Sequence, residues 1–144
     1  MESRIRVQAL ALVRQGDRIL VEKGRDEVEE ETFFRLLGGT VEFGETGAET
    51  LLRELREELG AEADVGRLVA TIENLFTYER EAAHELALVY ECTLRDERLY
   101  ALDEWDAEEE TPAGVVVHPV SWRAIDSFEP AGTTLYPAEL VGLL

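Results

Sequence analysis

The sequence contains little cysteine and little histidine. Cys92 is the single cysteine, and His84 and His118 are the two histidines among 144 residues. One thiol excludes an internal disulfide framework and a multi-cysteine zinc site. With so few thiols and imidazoles, the composition also argues against a zinc site built from nitrogen and sulfur ligands.

Basic residues are scarce as well. The chain has 14 Lys and Arg against 32 Asp and Glu, which gives a formal net charge of −18. This balance argues against binding to a nucleic acid polymer through basic patches, because phosphate contacts need Lys and Arg. It argues in the same way against an anionic membrane surface. A phosphate-rich substrate would need divalent cations between the two negative partners.

Long apolar runs are missing. The longest aliphatic run, at residues 9–13, is far too short to span a bilayer. The first residues lead into an alternating segment with no signal-like apolar stretch, so we expect a soluble, cytoplasmic protein. The length and the 45% hydrophobic content predict one globular domain over residues 1–144.

Hydrophobic periodicity and turn residues predict the order of the secondary-structure elements. Strands are expected at 5–14, 18–23, 33–37, 68–77, 85–94 and 115–120, with a brief extended piece at 40–43. Residues 24–32 are expected to form a charged loop, and 103–110 an acidic stretch. A short helix is expected at 121–127 and a C-terminal helix from Pro137 to Leu144. The order predicts an α/β fold of the α+β type, a mixed sheet sandwiched between helices.

The strongest helix signal follows residue 45. Thr46 and Glu49 have the spacing of a capping box, and Gly60 is placed to end the helix in the left-handed conformation. With Glu54 set at 0°, Glu58 falls at about 40° and Glu57 at about 300° around the helix. The leucines occupy the neighbouring sector. The helix is therefore expected to pack its leucines inward and to present three acids along one edge, where they are either solvated or bound to a cation.

These acids belong to a longer pattern. Residues 39–61 read Gly39, five residues, Glu45, seven residues, then Arg53-Glu54-Leu55-Arg56-Glu57-Glu58-Leu59-Gly60-Ala61. This pattern resembles the Nudix box, and every fixed position of the box is filled. The order of elements around it is similar to the Nudix fold over most of the chain.

The resemblance implies a hydrolase that cleaves the pyrophosphate bond of a nucleoside diphosphate linked to another group, with water as the attacking group. It implies Mg²⁺ as the cofactor, with Mn²⁺ as a substitute. The expected metal ligands are Glu54, Glu57, Glu58 and the backbone carbonyl of Gly39. The resemblance further implies a catalytic role for Glu57 and an ion pair of Arg53 with Glu45 that orients the metal-binding carboxylates.

Residues outside the box are weaker candidates. Glu110 is the choice for an extra metal ligand or the general base, against a solvated acidic loop. Phe76 and Tyr78 are candidates to stack on a nucleobase, against ordinary packing. Arg35 is a candidate phosphate or sugar contact, as are Arg6 and Arg80, against solvated surface.

Two further features have no assigned role. His84 and Glu85 open a strand, and the resemblance gives them no fixed role. Cys92 is expected to be a buried thiol rather than a reactive one.

Several alternatives stay open. The substrate could equally be an oxidised nucleoside triphosphate, ADP-ribose, a sugar nucleotide or a dinucleoside polyphosphate. A catalytically silent Nudix-like module that binds a nucleotide and regulates a partner is a different class of function. A simple acidic interaction protein is a third, and it predicts no metal-dependent activity. The oligomeric state is open, although a homodimer is common in the family.

Overall fold

The computed structural model of the chain describes residues 3–128 and 133–144. The strands are β1 (Ile5–Gln15), β2 (Arg18–Asp26), β3 (Glu31–Arg35), β4 (Leu37–Thr40), β5 (Ala63–Tyr78), β6 (Glu81–Leu94), β7 (Glu104–Thr111), β8 (Gly114–Ala124) and β9 (Leu135–Tyr136). Helix α1 spans Gly47–Leu59, and three 3-10 helices span Glu97–Ala101, Ile125–Phe128 and Ala138–Leu143. No helix in these ranges is long and apolar enough to cross a membrane.

The strands of the described ranges form one mixed sheet with two halves joined at a hairpin. One half runs β5-β6-β1-β4, with β1 and β6 parallel, and the other contains β2, β3, β7, β8 and β9. The halves meet through β1 and β2, which pair only beside their turn, at Arg14↔Ile19 and Gln15↔Arg18. Beyond this turn the two strands take different partners, β4 and β6 for β1 and β3 and β8 for β2.

The alternation of β1 sends its apolar side chains to both faces of the sheet. Ala9, Ala11 and Val13 pack with Leu51 and Leu55 of α1. Leu10 and Leu12 lie in a second cluster on the other face, which includes Phe128 and Leu140 from the 3-10 helices. The predicted mixed sheet between helices is confirmed. Within the described residues, α1 is the only α-helix.

Charged segments form strands where the sequence predicted loops. The predicted loop at 24–32 is wrong at both ends, because Asp26 pairs with Glu31 in an antiparallel β2–β3 hairpin. The acidic stretch at 103–110 is not the solvated loop that its charge favoured. It forms most of β7, which pairs along its whole length with β8. One face of β7 buries Ala107, so the acids occupy positions that a strand can leave exposed.

Other boundaries also differ. The predicted strand at 33–37 is divided at Leu36, and Gly38 and Gly39 lie inside β4 instead of ending a strand. β4 runs so close to β1 that a Cβ at Gly38 would overlap the Ala9 carbonyl oxygen. The predicted helix at 121–127 is wrong over its first half, because β8 continues to Ala124 alongside β2 and buries Trp122.

The remaining strand limits shift outward, and the last helix changes type. β5 and β6 are longer than predicted, since they pair from Ala63↔Leu94 to Tyr78↔Glu81. The C-terminal helix begins after Pro137 and is a 3-10 helix rather than an α-helix.

Candidate active site

Helix α1 begins and ends where the sequence predicts. The Thr46 hydroxyl accepts a hydrogen bond from the Glu49 amide at 3.1 Å, and the Glu49 carboxylate accepts one from the Thr46 amide at 2.9 Å. Gly60 follows the helix in the left-handed conformation, with φ 63°. The capping box and the glycine cap are confirmed. They set the limits of α1, while the packing of Leu51 and Leu55 against the sheet sets its rotation and so determines where its acids point.

Arg53 joins the acids of this region into a network. Its guanidinium donates to both carboxylate oxygens of Glu45, from Nε at 2.8 Å and from Nη2 at 3.0 Å. Its Nη1 donates to Glu54 Oε1 at 2.8 Å. The Arg53 hydrogen bonds, with help from the Thr50 hydroxyl, lower the pKa of Glu45 to about 2. Bidentate pairing of this kind holds both partners in one geometry.

Glu54 lies directly over Gly39. A Cβ atom at Gly39 would sit 2.5 Å from Cδ and 2.6 Å from Oε1 of Glu54, so the carboxylate occupies space that only glycine leaves free. The strand β4 therefore brings the backbone of Gly39 beside a carboxylate of α1. The sequence predicted both residues as ligands of one metal ion, and they lie side by side.

Glu58 lies on the face of α1 that turns toward the sheet. Burial, together with the negative charge of Glu22 and contact with Glu54, raises the pKa of Glu58. Glu22 is itself buried, at 5% exposure, on the neighbouring strand β2. Carboxylates gathered in this way repel one another, so they favour either protons or a cation between them.

Glu57 differs from the other two acids of the box. Its side chain is 59% exposed, against 17% for Glu54, and its nearest partner is Arg53 Nη1 at 3.5 Å. Glu54 and Glu58 line the adjacent cleft, and Glu57 lies outside its lining. The predicted arc of three acids is therefore divided between the cleft and its outer rim.

A fourth carboxylate reaches the cleft from β7. Side chains alternate along a strand, so Glu109 shares the inward face of Ala107 while Glu110 points the opposite way. Glu109 lines the cleft, and its Oε2 lies 2.9 Å from His118 Nε2 on β8. The sequence-based candidate at this place was Glu110, which does not line the cleft. The alternation from Ala107 would have identified Glu109, had residues 103–110 been assigned to a strand.

The cleft lies where the two halves of the sheet separate, with a volume of about 570 Å³. Gly39, Glu54, Glu58, Glu22 and Glu109 line one end. At the other end Phe76 stacks with Tyr136 at 6.4 Å between ring centroids, and Phe33 packs edge-on against Tyr136 at 5.3 Å. The structure therefore brings an acidic end and an aromatic end into one cavity.

Tyr78 also lines the aromatic end, and its hydroxyl donates to the backbone carbonyl of Arg25 at 2.9 Å. The buried carboxylate of Asp26 accepts hydrogen bonds from the backbone amides of Glu79 at 2.8 Å and Val28 at 3.0 Å. These bonds tie the β2–β3 turn to the β5–β6 turn. They link the two turns beside the aromatic end of the cleft, and no pattern in the sequence predicts them.

Arg35 lies between the two ends. Its Nε donates to the buried carboxylate of Glu22 at 2.6 Å, and the two residues face each other in the β2–β3 pairing. Burial alone would lower the pKa of Arg35, but the charges of Glu22, Glu58 and Glu109 raise it. Its side chain lines the cleft and is 45% exposed. The arrangement supplies a cation beside a group of carboxylates, where a phosphate could bind.

The side chains at the acidic end suit a hard divalent cation in their chemistry. They offer carboxylate oxygens and a backbone carbonyl, which are the ligands that Mg²⁺ and Mn²⁺ prefer, and the cradle at Gly39 leaves room for one carboxylate. Among the described residues, no three acidic, histidine or cysteine side chains are already drawn together as a metal cluster. The donor set therefore fits a site completed by substrate phosphates and water.

The chain is similar to known proteins over most of its length. A family model described as NUDIX domain matches residues 3–139. The CTP pyrophosphohydrolase of Escherichia coli (strain K12) is 38% identical over 61 residues, which cover 42% of this chain and 45% of that protein. The match therefore spans less than half the length of this relative.

Solved structures share the fold at lower sequence identity. The MutT NUDIX hydrolase from Burkholderia pseudomallei has a TM-score of 0.64 and 22% identity, with 96% of each chain covered. A NUDIX hydrolase from Nitrosomonas europaea has a TM-score of 0.65 and 17% identity, covering 96% of this chain and 86% of that one. These likenesses show the fold.

Proposed function

The chain belongs to the Nudix family, and from this premise we propose that it is a Mg²⁺-dependent hydrolase that cleaves the pyrophosphate bond of a nucleoside diphosphate derivative. The proposal treats residues 1–144 as one Nudix domain with its box at 39–61. It includes Mn²⁺ as a substitute cofactor, a cytoplasmic location and a homodimer as the assembly to test.

One observation carries the proposal. The carboxylates of Glu54 and Glu58 open into the same cleft as the aromatic rings of Phe76 and Tyr136. A nucleotide derivative has a flat apolar base at one end and phosphates at the other, so its two parts match the two ends of the cleft. The acidic end can accept phosphates only with cations between the negative groups. Nudix hydrolases generally use divalent metal ions, in agreement with this requirement.

Glu54, Glu57, Glu58 and the Gly39 carbonyl would hold the metal. When bound, such an ion neutralises phosphate charge and lowers the pKa of a coordinated water molecule. Glu57 would join this set if its side chain turned away from Arg53, with which it forms a long ion pair of 3.5 Å. Arg53 would act as a positioning residue, since it fixes Glu45 and Glu54 through three hydrogen bonds.

The protein itself would supply a base and contacts to the substrate. Glu109 is the better-placed carboxylate of the β7 acids to accept a proton from water, and the neighbouring His118 would orient it. Arg35 would contact a phosphate from the other side of the cleft. Phe76 would stack on the base, and Tyr78 would support this end through its bond to Arg25.

A screen of nucleoside diphosphate derivatives tests the proposal. CTP is included because one similar protein is described as a CTP pyrophosphohydrolase. We expect phosphate-containing products with Mg²⁺, none with EDTA, and recovery when Mg²⁺ or Mn²⁺ is restored. Full turnover in the chelator would exclude the metal-dependent reaction. Nucleotide binding without turnover of any compound would instead favour the silent regulatory module.

A further inference from the structure

Three polar side chains lie side by side on the floor of the cleft. Arg6 on β1 is opposite Glu85 on β6, and Glu85 is opposite Asn74 on β5. Residues in register on adjacent strands point to the same face of the sheet, and all three line the cleft. We name these three residues the polar row.

On β5 and β6 the polar row lies between an apolar pair and a pair that includes an aromatic ring. The next pair toward the core on β5 and β6 is Ile72 with Ala87, and both are buried. The next pair outward is Phe76 with Ala83, and Phe76 stacks with Tyr136. A flat heterocycle that contacts the aromatic rings would therefore present its polar edge to the row.

The side chains of the polar row have no partners within the chain as described. The hydrogen bonds and ion pairs found among residues 3–128 and 133–144 include none from Arg6, Asn74 or Glu85 side chains. Glu85 is half-buried, and this burial raises its pKa even though the charges of Arg35 and Arg6 oppose the shift. A carboxylate in such a place gains from a ligand that donates a hydrogen bond to it.

The order of donors and acceptors in the row is specific. Arg6 only donates, the ionised Glu85 only accepts, and Asn74 does either. A ligand edge that complements the row has an acceptor facing Arg6 and a donor facing Glu85. Either kind of group can face Asn74. Guanine and uracil have such an edge, because a ring N–H lies next to a carbonyl oxygen. Adenine and cytosine have an unprotonated ring nitrogen there, whose lone pair would face the carboxylate.

The position of the row suits a base whose phosphates reach α1. Arg35 lines the cleft together with the row and donates to Glu22 at the acidic end, and its charge opposes the rise in the pKa of Glu85. Arg35 therefore lies between the two regions, as a contact to the sugar or the first phosphate would.

We propose that the polar row is a base-recognition site that selects nucleotides with a keto base, guanine or uracil, over those with adenine or cytosine. The ring N–H of the base donates to Glu85, while Arg6 and Asn74 contact the flanking atoms. This inference rests on the proposed function, since it assigns the base specificity of the same cleft.

The base preference can be tested by calorimetry, which measures the affinity for four nucleoside monophosphates in the presence of Mg²⁺ and does not depend on hydrolysis. GMP is compared with AMP and UMP with CMP, so that each pair has the same ring size. We expect the keto member of each pair to bind at least about tenfold more tightly, within the range typical of a paired base edge. Glu85→Gln should reduce each ratio to about threefold or less, because an amide both donates and accepts.

Glu73→Gln is the matched control. Glu73 lies next to Asn74 on β5 but is exposed on the opposite face, so its neutralisation removes the same charge and should preserve both ratios. Equal binding within each pair, no binding of any of the four, or equal ratios in the two variants would overturn the proposal. Base preference without hydrolysis would leave this inference standing while the proposed reaction fails, and hydrolysis without preference would do the reverse.

Discussion

Replacing Gly39 by alanine should separate catalysis from stability. The added Cβ would lie 2.5 Å from Glu54 Cδ, while ordinary carbon contacts are about 3.5 Å, so the carboxylate must move by roughly 1 Å. Glu54 is at the end of a flexible side chain and can move at little cost in folding free energy. The movement breaks its 2.8 Å hydrogen bond to Arg53 and shifts it away from the Gly39 carbonyl.

We expect a displacement of this size in a proposed metal ligand to lower kcat by about 10²-fold, and the unfolding free energy to stay within about 1 kcal/mol of that of the parent protein. Steady-state kinetics and urea denaturation measure the two quantities. Gly142→Ala is the control, because a Cβ there meets nothing within 4 Å. A Gly39→Ala variant with unchanged kcat would refute the reasoning, and so would one that loses activity only because it unfolds.

Three other perturbations test neighbouring parts of the structure. Arg53→Ala should lower kcat by about 10- to 100-fold, because Arg53 positions Glu45 and Glu54. Arg56→Ala on the same helix is the control: its partner Glu62 is exposed, so kcat should stay within about twofold of the parent value. The hydrogen bond from the Glu79 amide lowers the pKa of Asp26, so its contribution to stability is complete above the unfolded pKa of about 3.9 and is lost as the pH falls through the lower folded value. Asp26→Asn should therefore lower the urea midpoint at pH 7, and the difference from the parent protein should shrink below about pH 3.9. Burial raises the pKa of Cys92 to about 12, so iodoacetamide at pH 8 should modify it slowly in the native protein and rapidly in urea; equal rates would contradict its burial.

The parts of the site that could be predicted from the sequence are those fixed by local interactions. The capping box of Thr46 and Glu49 and the cap at Gly60 act within one helical turn, so the spacing alone determines them. The leucine spacing sets which face of α1 packs on the sheet, and the direction of Glu54 and Glu58 follows from it. The ion pair of Arg53 with Glu45 also forms, as the resemblance implied: Glu45 immediately precedes the helix cap, and Arg53 lies about two turns into the same helix.

The parts that could not be predicted depend on pairing between distant strands. Glutamate is disfavoured in strands, so residues 103–110 resembled a loop, and only the pairing with β8 turns Glu109 into the cleft. The pair of Glu22 with Arg35 depends on the register of the β2–β3 hairpin, whose turn the charge pattern concealed. The polar row requires the parallel pairing of β1 with β6, which no local signal in the sequence specifies.

The most direct measurement of the central claim is kcat against Mg²⁺ concentration for four glutamate-to-glutamine variants of α1. Glu54, Glu57 and Glu58 are the proposed ligands, and Glu49, which serves the capping box, carries the same charge on the same helix. Each ligand variant should lower kcat by at least about 10²-fold, or ~2.7 kcal/mol in barrier height, and require more Mg²⁺. Glu49→Gln should stay within a few-fold of the parent protein. If Glu49→Gln were as damaging as the other three, general acidity rather than a metal site at this end of the cleft would explain the activity.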